Sequence, residues 1–590
     1  MKPRLVYDGD CAFCRYTVEY AESVTSDAVE YRPYQEVMAD HPGVTEAEFA
    51  ASIQLFADGE RFERAGAAFR TLAIGGIRFW DSLYRRLPGF AATSNAVYEW
   101  VSRHRGACLA FARPLFGQQP RRAEFNVTAD LVIRGIALCG LFAFLSLWWQ
   151  IDGLIGPQGV LPAEDFLDVV AHRYGAERLW LLPTVFWLDA SPAALNAVCA
   201  LGTLATLTVL LGRWRCTGAA IAYACYLSLL SAGQVFLAYQ WDIFLVECFV
   251  VAAVLARAPG FGVWLARLAL FRFMFLSGFV KLASGDPTWA DGSALAFHFE
   301  TQPLPTALAW YAHHLPVTLL EWSVCLTFVI ELALPFLIFF PRNLRLVAAG
   351  GFVLLEVLIF ATGNYNFFNI LTIVLCIALL DDRWTRPVVR GVTASPGRKL
   401  SKTFAAAIMA LGILVTFHNV FRLPAPMALL TETTAPLRLA NPYGLFAVMT
   451  KRRDELVVQG SMDGHTWSPY VFPFKPDDVA APPRWATPHQ PRLDWQMWFA
   501  ALTRPEGAPW THDLAFALLE ARPDVLKLVA DPFDGARPKF VRIVRHRYRF
   551  STPAEKSSTG DWWVRGEATT WLPPTQLRRP KVTHEPLTLD

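Results

Sequence analysis

RFMFLSGFVKLASGDPTWADGSALAFHFETQPLPTALAWYAHHLP, residues 272–316, is the stretch on which the reading of this chain turns. It starts as an apolar helix and then breaks into a long polar and aromatic connection before the next apolar run. Connections beyond about 12–15 residues are uncommon unless they fold or work on their own, and binding residues concentrate on such loops. Asp286, Trp289, His298, Glu300, Gln302 and Pro303 all fall within it. Segment 282–315 is therefore the expected functional loop, carried between membrane helices.

Outward from this loop the chain stays apolar. It has 590 residues, 54% of them hydrophobic, and a mean hydropathy of +0.29, beyond an ordinary soluble enzyme. About nine apolar spans are expected, at 131–151, 192–211, 217–231, 235–256, 262–281, 316–340, 344–361, 367–380 and 404–421. Most approach the ~20 residues a bilayer requires. The expected fold class is a polytopic α-helical membrane protein with a soluble unit at each end, and lipid is its first partner.

The 54 basic and 51 acidic residues nearly balance, so there is no basic stripe of the kind nucleic acid would need. Position is more informative than sum. Arg103, Arg105, Arg113, Arg121 and Arg122 precede the first span. Arg213 and Arg215, Arg257 and Arg267, Arg342 and Arg345, and then Arg383, Arg386, Arg390, Arg398, Lys399 and Lys402 mark alternate connections. Between them, 152–190 carries six acidic residues against two arginines, and 282–315 has no Lys or Arg. The positive-inside rule then expects a cytoplasmic N-terminus, with loop 282–315 and everything after about 422 on the opposite side. The opening MKPRLVYDGDC lacks the basic-then-apolar pattern of a cleavable signal, in keeping with that orientation.

Asp242, Glu247, Arg272 and Lys281, with Glu321, Glu331 and Glu356, fall in or near the spans, where charge is costly unless paired or facing water. Arg272 pairing with Asp242 or Glu247 is the structural expectation. A proton path or ligand cavity is the functional one.

Residues 1–110 read as a small α/β unit in which the strand LVY runs into DGDCAFCRYTVEY and a helix, with a strand pair around SIQLF and RFERA. A strand followed at once by Cys-x-x-Cys opening a helix is a thioredoxin-like arrangement. The helix N-terminus favours the thiolate of Cys11, and Cys14 lies one turn in as the resolving thiol. Zinc would need about four ligands, and Cys108, His41 and His104 lack matching spacing, so no metal is expected. The ten cysteines form no disulfide framework. Without a P-loop, HExxH, GxSxG or a GxGxxG followed by an acidic residue, no cofactor is expected either.

From 422 to 590 the composition turns soluble. ELVVQGS and HTWSPYVF flank MDG as a hairpin, KFVRIVRHRYRF reads as a strand, and a β-rich domain is expected. A helix over 493–502 places Trp495, Trp498, Phe499 and Leu502 on or near one face, as core or as a client surface. Arg492 and Asp494 read as an ion pair, with catalysis as the other option.

Two resemblances follow. YDGDCAFCR, RTLAIGGIRFWDSLYRRLPGF and VYEWVSRHR resemble the DCC family of thiol-disulfide oxidoreductase-like domains, although no proline directly precedes the SIQLF strand, where thioredoxins carry a cis-proline. From about 126 to 575 the chain resembles the lipase maturation factor family. AFLSLWWQIDGLIGPQGVLPA, WDIFLVE, SGDPTW, HFETQPLP, NPYGLFAVMTKRRDELVVQGSMDGHTWSPYVF and HQPRLDWQMWFAAL carry that resemblance, with DPF and TGDWWVRG matching more loosely. It implies an endoplasmic-reticulum membrane protein that helps secreted dimeric lipases reach their active form, its C-terminal region facing the lumen. The DCC-like fusion and the preference for Arg over Lys look bacterial, which would put the chain in an inner membrane with a periplasmic tail.

The leading expectation is a maturation factor for an exported, lipase-like client. It would act by binding, through loop 282–315 and the C-terminal domain, with Arg492, Asp494 and Trp495 among the contact residues. The alternative is a membrane thiol oxidoreductase in which Cys11 and Cys14 serve a thioredoxin-like cytoplasmic partner. A third is catalysis at a polar intramembrane site, as in the vitamin K-dependent carboxylases, an analogy of architecture only.

Overall fold

A computed structural model of the chain describes residues 2–386 and 399–577. Arg390 and Arg398, counted above for orientation, lie outside the described residues, as does the end of the expected 422–590 domain from residue 578.

The chain divides into two compact units. The first opens with β1 (Arg4–Tyr7), α1 (Ala12–Thr25), β2 (Glu30–Pro33), β3 (Gln54–Ala57) and β4 (Glu60–Glu63). They form a four-stranded sheet in the order β2-β1-β3-β4, with β1 parallel to β2 and antiparallel to β3. The parallel pair needs a crossover, which α1 supplies. Asp58 and Gly59, both at positive φ, make the tight turn between β3 and β4. Leu5 and Val6 of the central strand are buried. Helices α2 (Arg64–Ile74), α3 (Phe79–Arg86), α4 (Phe90–Arg103) and α5 (Arg105–Phe116) complete the expected helical tail. Phe339–Val347 and Asp381–Arg383 belong to this unit, where Asn343 Nδ2 donates to the Pro114 carbonyl at 2.7 Å and Arg383 to the Gln119 carbonyl at 2.7 Å.

After residue 124 the chain forms a helix at each of the nine expected spans: α6 (Asn126–Trp148), α7 (Pro192–Leu210), α8 (Arg215–Ala232), α9 (Gln240–Arg257), α10 (Pro259–Ala283), α11 (Val317–Phe339), α12 (Arg342–Thr362), α13 (Phe367–Leu379) and α14 (Lys399–Phe421). Six of these, α6, α7, α10, α11, α12 and α14, are long and apolar enough to cross a membrane. The expected nine therefore reduce to six by length and composition. Helix α9 carries Asp242, Glu247 and Arg257, α8 is diluted by Arg215 and several Ser, Thr, Tyr and Gly, and α13 is short. The chain is a membrane protein of at least this apolar set. Central α10 has 72% of its apolar window buried, against 22% for peripheral α14.

After α14 the chain forms β5 (Arg453–Ser461), β6 (Ser468–Pro469), α15 (Arg492–Ala501), α16 (Trp510–Leu519), β7 (Phe540–Phe550) and β8 (Trp563–Thr575). The expected hairpin is present, although its second strand is two residues long. The sheet runs β6-β5-β7-β8, wholly antiparallel. Helices α15 and α16 pack against β5 and β7, so this region is mixed rather than purely β.

Candidate functional site

Loop 282–315 is folded, mostly as two short helices, Ala294–Thr301 and Ala307–His313, and its polar residues turn inward. Asp286 caps the turn Pro287–Ala290 by accepting from the Thr288 N–H at 2.8 Å, and its other oxygen accepts from the Met449 N–H. Burial acts to raise its carboxyl, but these N–H donors outweigh it and hold it below the usual carboxylate range. Trp289 Nε1 donates to the Phe446 carbonyl at 2.9 Å. Glu300 accepts from the Phe550 N–H at 2.9 Å at the end of β7. Gln302 donates to the Thr362 carbonyl at 2.9 Å, and the Pro303 carbonyl accepts from Arg453 at 2.9 Å. His298 is buried against Phe446, and burial followed by the Lys281 charge lowers it to about 4, so it is neutral at physiological pH. His298 and Glu300 diverge on their helix as their spacing requires, and make no metal site.

Arg492 and Asp494, expected to pair, do not. Two residues apart on a helix they point about 200° apart. Arg492, fully buried, reaches Asp242 at the head of α9 through two bonds of 2.9 and 2.8 Å and donates to the Phe236 carbonyl at 2.7 Å and the Tyr226 hydroxyl at 3.2 Å. Asp494 faces the other way and accepts from the N–H groups of Phe474 and Lys475 at 2.8 and 3.0 Å. Burial pushes its carboxyl up to about 7 against the pull of those two donors. Trp495 packs edge-on to Trp241 and Tyr365. The expected aromatic face is split, with Trp495 2% exposed but Phe499 41% and Leu502 47%.

The two expectations for Arg272 resolve to Glu247, whose second oxygen accepts from the Asn441 amide at 3.0 Å and the Tyr443 hydroxyl at 2.7 Å. Lys281 pairs with Glu331 at 2.7 Å. Asp242 and Glu247 are thus saturated by donors, which favours pairing over proton transport at those two positions.

Several seam residues escaped the sequence reading. Gln150 donates to the Gln490 carbonyl at 2.8 Å and accepts from the Arg492 N–H at 2.9 Å, Ser146 accepts from the Gln490 N–H at 2.7 Å, and Asn364 accepts from the Ala486 N–H at 2.8 Å. Their signal is a polar residue at the very end of an apolar run, as in SLWWQ and GNYNFFN. Together these direct contacts seat the C-terminal domain on the helix ends. Beside the seam lies a groove of about 380 Å³, lined by Pro305 from the loop and by Val471, Phe472, Pro473, Pro482 and Trp563.

In the first unit, Cys11 caps α1 and its sulfur accepts from the Cys14 N–H at 3.3 Å. Burial acts to raise its thiol, but hydrogen bonds from Cys14 and the Arg105 charge together lower it. Cys14 is pushed up to about 12, first by burial and then by Cys11. That asymmetry suits an attacking and a resolving sulfur. Just ahead of β3, the Ile53 N–H donates to the Tyr98 hydroxyl at 3.0 Å. Asp8, Cys11 and Cys14 bring three ligand atoms within 4.8 Å of one another, one short of a closed zinc site.

Comparison with known proteins agrees with these features. Residues 127–387 match the family model described as lipase maturation factor transmembrane domain, 439–573 match lipase maturation factor C-terminal domain, and 5–110 match DCC1-like thiol-disulfide oxidoreductase. Relatives include Lipase maturation factor 2 of Homo sapiens, 35% identical, the match covering 78% of this chain and 84% of that protein. Lipase maturation factor 2 of Mus musculus is 34% identical over the same shares, and Lipase maturation factor 1 of Bos taurus is 30% identical over 77% and 90%. No solved structure matches. The motifs quoted from the sequence, the matched domains and these relatives agree that the chain belongs to the lipase maturation factor family, with a DCC1-like domain ahead of its membrane helices.

Proposed function

We propose that the protein is a membrane-embedded maturation factor for an exported client of the lipase class, and that it works by binding rather than by bond chemistry. The names of its relatives supply the client class. The observation that carries the mode of action is the seam. It buries Asp286, Trp289, Gln302, Arg492 and Asp494, so these residues hold the binding platform together instead of touching the client. What faces solvent beside them is the groove, whose Val471 is 41% exposed and whose wall residue Arg484 is followed in the chain by Trp485, 46% exposed. The groove's wall joins proline and aromatic side chains to Lys475, Asp477, Asp478 and Arg484, a lining that suits an apolar segment with polar flanks of the kind a partly folded client exposes.

Geometry also supports nine traversals with the groove on the exported side. At one end Asp130 pairs with Arg134 at 2.8 Å and Arg215 at 2.7 Å, and Arg267 donates to the Ala378 carbonyl at 2.8 Å. These contacts gather the starts of α6, α8 and α10 with the end of α13. The seam gathers the opposite ends. Taking the Arg-rich end as cytoplasmic, the first 124 residues are cytoplasmic and 439–573 lie outside.

The test is lipase co-expression with the full chain carrying a photo-crosslinker at Val471 or Trp485. Crosslinks to the immature lipase are expected, and Ala481→Trp, which fills the groove, should lower active lipase several-fold while Cys11→Ser with Cys14→Ser does not. Unchanged active lipase whether or not the protein is present would sink the proposal. A second reading, thiol exchange with a thioredoxin-like partner, is favoured by the Cys11 and Cys14 asymmetry, and the reverse pattern of variants would select it.

A further inference from the structure

The bundle interior contains a second polar locus that the seam does not use. Ser277 on α10, Glu331 on α11, Glu356 on α12 and Asn369 on α13 line one cavity of about 30 Å³, closed by Tyr365 and Phe446. A cavity needs only about 10–15 Å³ to hold a water-sized occupant, so there is room for one small ion. Helix α11 is irregular here. Val329–Ala333 is a π turn centred on Glu331, and such turns recur at functional sites.

Among the described residues, Glu356 has no cationic partner at the cavity. Lys281 Nζ sits 2.9 and 2.7 Å from the two oxygens of Glu331 and 3.1 Å from the Ser277 carbonyl, so that pair is neutral. Among the described residues, Glu356 has one hydrogen bond, from Asn369 Nδ2 at 2.7 Å. Ser277 Oγ and Asn369 Oδ1, on residues 3% and 2% exposed, have no hydrogen-bond partner among the described residues. A buried carboxyl in an apolar interior must take up either a proton or a cation, and orphaned buried oxygens beside it favour an occupant that they can bind. One carboxylate with two neutral oxygens is the ligand set of a hard cation, and a single positive charge balances the site.

We propose that this cavity binds one monovalent cation of sodium size, held by the Glu356 carboxylate, Asn369 Oδ1 and Ser277 Oγ. Bound there, the ion ties α10, α12 and α13 together directly beneath Phe446, on the segment leading into the C-terminal domain.

The test is thermal unfolding of the full-length protein in zwitterionic detergent, followed by tryptophan fluorescence, along a sodium chloride series at ionic strength held constant with choline chloride. Potassium and pH 6, 7 and 8 form further arms. The unfolding temperature should rise saturably with sodium. Ser277→Ala, a mild change, should raise the half-saturating concentration about tenfold, and Glu356→Gln should abolish the effect while raising stability in sodium-free buffer. A temperature indifferent to sodium at every pH would mean that water fills the cavity. Dependence on pH alone, abolished by Glu356→Gln, would mean that a proton occupies the carboxyl. Either result overturns the proposal.

Discussion

Removing Arg492 should open the seam far more than removing a surface arginine. Its guanidinium is fully buried, forms two bonds of 2.8 and 2.9 Å to Asp242, and so ties α15 to α9. Arg492→Met leaves the Asp242 carboxylate buried with Tyr226 as its remaining side-chain donor, at 2.6 Å. Stranding one member of a buried pair costs about 3–5 kcal/mol. At about 1.4 kcal/mol per tenfold, that is roughly a hundred- to a few-thousand-fold rise in the open population. Hydrogen–deuterium exchange of the amides of Arg492–Ala501 in micelles reads this directly, because exchange tracks the opening free energy. The double variant Asp242→Leu with Arg492→Met should recover most of the protection, since replacing a whole buried pair by apolar groups is often near neutral. Exchange in Arg492→Met at the wild-type rate would refute the reasoning. So would a double variant as open as the two single changes added together.

Two further outcomes are expected. Iodoacetamide should modify Cys11 with a midpoint below the ~8.5 of a free thiol and leave Cys14 intact until unfolding, while Arg105→Ala should move the Cys11 midpoint upward; equal rates at pH 7 for the two thiols would contradict the asymmetry. Burial keeps Asp494 protonated up to about 7, whereas an unfolded Asp ionises near ~3.9. Its contribution to stability is therefore full below about pH 4 and lost as the pH climbs to about 7. The unfolding temperature of wild type minus that of Asp494→Asn should accordingly fall between pH 4.5 and 8, and parallel pH curves would refute it.

Much of the architecture was legible along the chain because burial in lipid and pairing in a sheet leave periodic, local marks. Apolar runs bounded by arginines located all nine helices, and alternation in KFVRIVRHRYRF located β7. The Cys-x-x-Cys at a helix start was equally local, and the structure puts Cys11 at the cap as its position required. Span-crossing was less legible, because α9 buries its charges against protein and α13 is short, so neither displays the composition of a lipid-facing helix.

Sequence by itself determined where the apolar helices and the best-marked strands lie, and that segment 282–315 and the C-terminal region are the distinctive polar parts of a membrane chain. Only the tertiary structure decided what their residues do. Arg492 and Asp242 are 250 positions apart, and Ser146 and Gln490 are 344. No local pattern records such a pairing, since a buried charge and a catalytic charge look alike until their partners are in place. The same holds for Glu356, which is seen to lack a cationic partner only once Lys281 is placed on Glu331.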